Sequence, residues 1–220
     1  MTLPAPVAVG FSVVAGLPAD ARQWITVDLA GYPGSGRRGY VVASEPIGSA
    51  WNALTISTRI REVIVTELRR RQHMPVDEAL GRALAVANGV VVNQGRDQAL
   101  NGPERAPLVG ITAIVFEDYQ ATIAHLPPGQ LVLIQDGLIY TVPEFDSWFP
   151  DYQPRDIPGR QAEPLGYARW TAPLIAQTDL RPGSRLAERL PLNAASGRRC
   201  GVSRRRTSGF RGYWGVAGSL

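Results

Sequence analysis

The sequence predicts an α+β fold in which paired helices pack on an antiparallel β-sheet. Short apolar runs typical of strands come first, and two segments with the period of an α-helix follow them. After residue 108 the pattern returns to short apolar runs separated by turn residues. Because strands and helices are segregated along the chain, this order favours the α+β class over a parallel α/β sheet.

Three strands are predicted before the first helix, over residues 7–14, 24–29 and 40–43. The start of the chain faintly resembles a signal peptide, but it lacks a positively charged region, which favours a first strand. The stretch 31–36 is predicted to be a loop. Residues 34–38 (Gly-Ser-Gly-Arg-Arg) lack the spacing and the lysine of a phosphate-binding loop, so a hairpin turn is favoured over a phosphate cradle.

The first helix is predicted by apolar residues at i, i+4, i+7, i+8 and i+12, which lie on one helical stripe. These residues are Ile56, Ile60, Val63, Ile64 and Leu68. Three arginines at 69–71 follow. They are typical of a solvated helix end, where the helix dipole favours positive charge, more than of a nucleic-acid patch.

The second helix is predicted to begin at Pro75, with Asp77 and Glu78 in its first turn, where proline and acidic residues are favoured. Its apolar stripe comprises Val76, Ala79, Leu80, Ala83, Leu84, Ala87, Val90 and Val91. The polar stretch 94–106 contains two glycines and a proline, and it is predicted to be a loop.

Four short strands are then predicted as an antiparallel meander, over residues 111–116, 121–126, 131–135 and 138–142. Asp136-Gly137 between the last two is a strong hairpin signal. The stretch 143–164 is predicted to be a loop, and residues 171–177 one further strand. The aromatic and acidic part of that loop, residues 144–152, is interpreted either as a partner-binding surface or as a cover over the edge of the core.

The positive charge of the chain is concentrated in its last 40 residues. The formal net charge is +4, and all 23 basic residues are arginine. Residues 1–180 carry 14 arginines and 18 acidic residues, whereas residues 181–220 carry nine arginines and one acidic residue. The body is therefore mildly acidic, and the high isoelectric point does not by itself indicate a nucleic-acid partner.

Composition excludes several classes of protein. With 45% hydrophobic and 19% charged residues, the chain is neither disordered nor a coiled coil. A single cysteine, Cys200, excludes an internal disulfide and a cysteine-based metal cage. Since no apolar run approaches the ~20 residues needed to cross a bilayer, we expect a cytoplasmic protein with no membrane partner.

Five stretches of the sequence carry a common resemblance through their order along the chain. Residues 39–48 read Gly-Tyr-Val-Val-Ala-Ser-Glu-Pro-Ile-Gly, and residues 77–88 begin with Asp-Glu-Ala-Leu and end with Ala-Asn. Gly-Ile-Thr-Ala follows at 110–113, a strand, turn and Asp-Gly hairpin at 121–140, and Asp-Leu-Arg-Pro-Gly-Ser-Arg-Leu at 179–186. Together they resemble the PPM-type (protein phosphatase 2C) serine/threonine phosphatases. The resemblance implies an antiparallel β-sandwich flanked by paired helices (α-β-β-α), here incomplete at its C-terminus.

The resemblance also implies that the metal ligands of that family are missing. Its enzymes use two manganese or magnesium ions, which need carboxylate ligands. The aspartate of the family's Asp-Gly-x-Gly-Gly falls on Ser44 and the next glycine on Glu45, and its early acidic pair falls near residues 25–27. The aspartate and serine of its Gly-Asp-Ser fall on Pro128 and Gly129, and its late acidic motifs have no counterpart.

The sequence thus predicts a pseudophosphatase with no catalytic, cofactor-binding or metal-binding residue, acting as a binding or regulatory module in bacterial-type protein phosphorylation signalling. Its expected partner is a kinase, a phosphoprotein or another phosphatase. One alternative is an active serine/threonine phosphatase in which Asp28 and Glu45 are displaced ligands for manganese or magnesium. The weakest alternative is nucleic-acid binding through the basic tail, so nucleic acid is the least favoured of the partners considered.

Two histidines offer little chemistry. His125 lies within the predicted meander, where a buried histidine bonded to its surroundings is favoured over a catalytic one. His73 falls in the turn between the helices, where a solvated residue or a helix cap is expected. Two isolated histidines do not predict a metal site.

Residues 1–186 are predicted to form the phosphatase-like domain, and residues 187–220 an atypical arginine-rich tail. Two interpretations of the tail are open. It is either a basic, disordered arm that binds nucleic acid or the product of a frameshift in a GC-rich gene, whose out-of-frame translation is rich in arginine, glycine and alanine. The abrupt change of composition after residue 186 favours the frameshift.

Overall fold

A computed structural model of the chain describes most of the predicted domain and part of the tail. The described residues are 7–12, 24–30, 32, 38–47, 53–101, 107–127, 129–136, 138–142, 163–169, 171–181, 184–190 and 212–218. The glycine-rich residues 34–36 and the aromatic loop 144–152 lie outside them.

Three strands precede two helices, as the sequence predicts. The strands are β1 (Val7–Ser12), β2 (Ile25–Asp28) and β3 (Gly39–Ile47), and the helices are α1 (Ala53–Arg70) and α2 (Val76–Asn101). The strands that follow are β4 (Leu108–Glu117), β5 (Gln120–Leu126), β6 (Gln130–Gln135), β7 (Leu138–Val142), β8 (Leu174–Asp179), β9 (Arg185–Leu190) and β10 (Gly212–Gly218).

The strands form two antiparallel sheets. Sheet I has the order β2-β3-β4-β5-β8, and sheet II has the order β1-β10-β9-β6-β7. Two hairpins, β4–β5 and β6–β7, turn at Asp118 and Asp136, whose φ angles are 51° and 53°. Aspartate tolerates this left-handed conformation better than most residues, which explains why the turns occur at these positions.

Apolar side chains cover both faces of sheet I. On one face, Tyr40, Val42, Ile111 and Ala113 pack with the apolar stripes of α1 and α2. On the other face, Val41, Ala43, Ile114 and Phe116 pack with Leu131, Leu133 and Leu186 of sheet II. Because successive residues of a strand point to opposite faces, β3 and β4 serve both cores at once.

The predicted α+β sandwich with paired helices is therefore confirmed. The described residues contain one helix pair, which packs on sheet I. None of their helices is long and apolar enough to cross a membrane.

The structure corrects two predictions about single elements. The predicted meander is divided between the sheets, because β4 and β5 pair in sheet I whereas β6 and β7 pair in sheet II. Helix α2 continues to Asn101, through the first half of the stretch predicted as a loop. That stretch has no apolar periodicity, but glutamine, arginine, alanine and leucine favour helices, and its only proline comes at position 103.

Sheet II extends past the predicted end of the domain. Strand β9 crosses residue 186, and β10 lies wholly within the predicted tail. Strand β10 pairs with β1 on one side and with β9 on the other. Residues 187–190 and 212–218 thus form part of sheet II. The domain boundary at residue 186 and the frameshift interpretation of the tail stay predictions.

Candidate functional site

One end of sheet I brings together the positions that the resemblance assigns to metal ligands. Ser44 pairs with Ile111 on β4, and Ile111 pairs with Leu126 on β5. Since neighbouring strands lie about 4.8 Å apart, Ser44 is about 10 Å from the end of β5, where the chain turns toward Gly129. Gly129 is buried, and Pro128 lies outside the described residues. The described positions Ser44, Glu45 and Gly129 thus lie toward one end of sheet I.

Ser44 lies under α1 and is almost completely buried, with 1% of its surface exposed. Its hydroxyl donates to the backbone carbonyl of Ser57 at 3.4 Å and accepts a hydrogen bond from Nη1 of Arg61 at 2.5 Å. The side chain at the predicted aspartate position is therefore a neutral hydroxyl that contacts a cation.

The guanidinium of Arg61 is bonded to hydroxyls and is only 2% exposed. Its Nε donates to Thr26 Oγ1 and its Nη2 to Thr58 Oγ1, each at 3.2 Å. No carboxylate of the described residues lies within ion-pair distance of it. Burial lowers the pKa of Arg61 to about 10, and the neighbouring Glu62 acts in the opposite direction. The group remains charged at neutral pH.

The two proposed displaced ligands lie apart. Asp28 pairs with Tyr40 and faces α1, where it accepts a hydrogen bond from Nε of Arg69 at 2.7 Å. Glu45 is buried and lies on β3, five residues after Tyr40. Its side chain points to the opposite face of sheet I from that of Ser44. At about 3.3 Å per residue, the backbones at the two positions are about 17 Å apart. Asp28 and Glu45 therefore do not share an ion in this arrangement.

The described residues that bond to Ser44 and Arg61 do not fit a divalent cation. Manganese and magnesium bind through carboxylate and other oxygen ligands whose negative charge offsets that of the ion. The described groups that bond to Ser44 or to Arg61 are hydroxyls and one backbone carbonyl, with no carboxylate among them. Within the described ranges, no three His, Cys, Asp or Glu residues come close enough to hold a metal ion.

His125 is a buried structural residue. It is fully buried, and its Nδ1 lies 3.0 Å from Thr112 Oγ1 on the neighbouring strand. Burial lowers the pKa of His125 to about 4, and a hydrogen bond with the Gly129 backbone acts in the opposite direction. His73 is exposed and lies in the turn between the helices. The non-catalytic interpretation of both histidines stays a prediction.

The arginines at the end of α1 pair with carboxylates. Arg69 bonds Asp28, Arg70 Nη1 bonds Glu67 Oε1 at 3.1 Å, and Arg71 bonds the other oxygen of Glu67. This pairing lowers the positive charge of the helix end, as expected for a structural helix terminus.

Two features of the site were not predicted from the sequence. Arg61 lies one turn after Ser57 and within the buried face of α1, a position where a charged side chain is a signal in itself. Asn88 fastens the segment 163–169 to α2: its amide accepts from Gly166 N at 2.8 Å and donates to the carbonyls of Ala168 and Arg169. The Ala-Asn at the end of the 77–88 motif thus has a structural role.

Solved structures with the same fold include serine/threonine phosphatases. The serine/threonine phosphatase of S. agalactiae superposes with a TM-score of 0.57 and 13% identity, over 84% of this chain and 78% of that one. The PPM Ser-Thr phosphatase MsPP of Mycobacterium smegmatis, in complex with cacodylate, gives a TM-score of 0.53 and 17% identity over 86% and 78%.

The catalytic domain of the phosphatase PstP, in complex with two manganese ions, gives a TM-score of 0.52 and 16% identity over 86% and 78%. No family model and no curated protein match the sequence. The chain therefore has the PPM-type phosphatase fold, as the sequence motifs predict.

Proposed function

We propose that the chain is a catalytically inactive PPM-type phosphatase-like domain, a pseudophosphatase, which acts in the cytoplasm as a binding or regulatory module of protein phosphorylation signalling. The observation that carries this proposal is the hydrogen bond between Ser44 and the buried guanidinium of Arg61. A hydroxyl paired with a cation stands where the resemblance places a metal-binding aspartate. Such a pair lacks the negative charge that a two-metal centre requires.

The separation of Asp28 from Glu45 supports the same conclusion. A displaced metal centre needs carboxylates that converge, whereas these two lie on opposite faces of sheet I and Asp28 is already paired with Arg69. Glu45 is the carboxylate that lies beside the Ser44 position, so it is the residue to test for residual activity.

Phosphatase assays test the proposal directly. The chain and its Glu45→Ala variant are incubated with p-nitrophenyl phosphate and a phosphopeptide, in millimolar Mn²⁺ or Mg²⁺, beside an active PPM-type phosphatase as positive control. We expect no turnover from either protein above the buffer rate. Metal-dependent turnover by the chain that Glu45→Ala abolishes would establish the active enzyme with displaced ligands and overturn the proposal.

The regulatory role adds a second expectation. A kinase, a phosphoprotein or another phosphatase is the proposed partner, and its binding is expected to need no metal. The affinity for such a partner, measured by calorimetry, is therefore expected to be equal in EDTA and in Mn²⁺. A partner bound only with Mn²⁺ would contradict the proposed inactive site.

A further inference from the structure

We propose that the guanidinium of Arg61 is the resident cation of this site and takes the place of a divalent ion in this chain. This inference deepens the proposed function and rests on it. It assigns a role to a residue of α1 that lies outside the motifs of the sequence.

Three elements converge on the guanidinium. Thr26 of β2 accepts from its Nε, Ser44 of β3 accepts from one terminal nitrogen, and Thr58 of α1 accepts from the other. Each nitrogen of the planar group thus has an oxygen acceptor, and these bonds use three of the five N–H donors of the guanidinium. The cation fastens α1 to the two strands whose residues the resemblance assigns to metal ligands.

The acceptors are neutral, which makes the arrangement unusual. Buried charges are ordinarily paired with an opposite charge, because transfer from water is unfavourable. Here the described acceptors are hydroxyls, and the exposed Glu62 is the acidic residue that acts on the pKa of Arg61. The cluster therefore carries a net positive charge, which repels a divalent cation and attracts a carboxylate.

This charge distribution can be tested by adding a carboxylate next to the guanidinium. Thr26→Asp and Thr26→Asn are nearly identical in shape and differ in charge. Thr26 lies on β2, an edge strand of sheet I, and is partly buried, so this position tolerates substitution better than the buried Ser44. Ser44→Asp and Ser44→Asn provide a second pair at the position that the resemblance assigns to an aspartate.

The experiment is a double-mutant cycle read by thermal unfolding in EDTA and in 1 mM Mn²⁺. In EDTA we expect Thr26→Asp to melt at least about 3 °C above Thr26→Asn, since the new carboxylate pairs with the guanidinium. In an Arg61→Met background the order is expected to reverse, because the carboxylate then has no cation. The wild-type Tm is expected to be equal in EDTA and Mn²⁺.

Three results would overturn the inference. These are equal melting of the Asp and Asn variants at both positions, the same Asp-to-Asn difference with and without Arg61, or a rise of the wild-type Tm in Mn²⁺. The cycle is measured in EDTA and without substrate, so its outcome is independent of the phosphatase assay. Turnover that needs no added metal, together with the expected coupling, refutes inactivity alone. Metal-dependent turnover refutes both proposals, and no turnover with no coupling refutes the role of Arg61 alone.

Discussion

His125 couples the stability of the fold to pH. Its folded pKa of about 4 lies below the ordinary value of 6.5 because the ring is buried between the sheets. Between these two values the unfolded chain binds more protons than the folded chain. Stability is therefore fully retained above pH 6.5 and is lost as the pH falls toward 4.

We predict that acidification from pH 7 to pH 4 lowers the free energy of unfolding of the wild type by about 3 kcal/mol more than that of His125→Gln. Urea denaturation at several pH values measures the difference. His73→Gln is the matched control, because His73 is exposed, and it should follow the wild type. Parallel pH profiles for the wild type and His125→Gln would show that His125 is not the residue responsible.

Asn88 is a second residue whose role is structural. Its side chain, 2% exposed, satisfies one backbone N–H and two backbone carbonyls of the segment 163–169. We predict that Asn88→Ala lowers the free energy of unfolding by about 1–3 kcal/mol, since these partly buried backbone groups lose their partner. Asn93→Ala, the same substitution at an exposed position of α2, is expected to change it little. Equal losses in the two variants would argue against the role of Asn88.

At the scale of elements, backbone and side-chain hydrogen bonds connect the segment 163–169 to α2 and β4. Leu165 exchanges two backbone hydrogen bonds with Val109, and Gly166 has a φ angle of +88°. A Cβ atom on Gly166 would lie 2.5 Å from the carbonyl oxygen of Pro107 and 2.5 Å from Val91. A backbone oxygen cannot easily move away, so both the conformation and the space require glycine.

We predict that Gly166→Ala lowers the free energy of unfolding by about 1–3 kcal/mol. Gly89→Ala in α2 has open space around the new methyl group, and it is expected to raise stability by about 0.5–1 kcal/mol because alanine favours a helix. Thermal and chemical unfolding of the two variants should thus shift in opposite directions. If both variants were more stable than the wild type, the close contact at residue 166 would not destabilise the alanine variant.

Elements with a strong apolar period were predictable from the sequence. The stripe from Ile56 to Leu68 and the Asp136-Gly137 turn encode α1 and the β6–β7 hairpin locally. The last turns of α2 and the division of the meander were not predictable in this way. Alternating apolar residues identify a strand, but they do not indicate whether consecutive strands pair with each other or belong to facing sheets.

The candidate site also has one part that the sequence predicts and one part that it does not. The sequence motifs place Ser44, Glu45 and Gly129 at one end of the sandwich, and the structure brings them there. The contact between Ser44 and Arg61 depends on how α1 crosses β2 and β3, which no local pattern encodes. The one signal in the sequence was the position of the charged Arg61 on the apolar face of α1.

At the scale of the whole molecule, the sandwich depends on a strand from the arginine-rich end of the chain. Strand β10 lies between β1 and β9, and it connects β1 to the rest of sheet II. The arginine-rich residues 187–220 therefore include a strand of sheet II and are not solely a charged arm outside the fold. Removing residues 187–220 tests the sheet as well as any affinity for nucleic acid.

We predict that truncation after residue 211 destabilises the protein severely, because β10 pairs along its length with two strands. Each backbone hydrogen bond lost contributes about 1 kcal/mol, and the sum is comparable to the whole stability of a domain, about 5–15 kcal/mol. Circular dichroism and thermal unfolding measure the loss. The control replaces Arg204, Arg205 and Arg206 by glutamine, which lowers the charge while keeping β10, and it should unfold like the wild type. If the truncated chain instead melts like the wild type, β10 does not stabilise the domain, and the frameshift interpretation of the tail gains support.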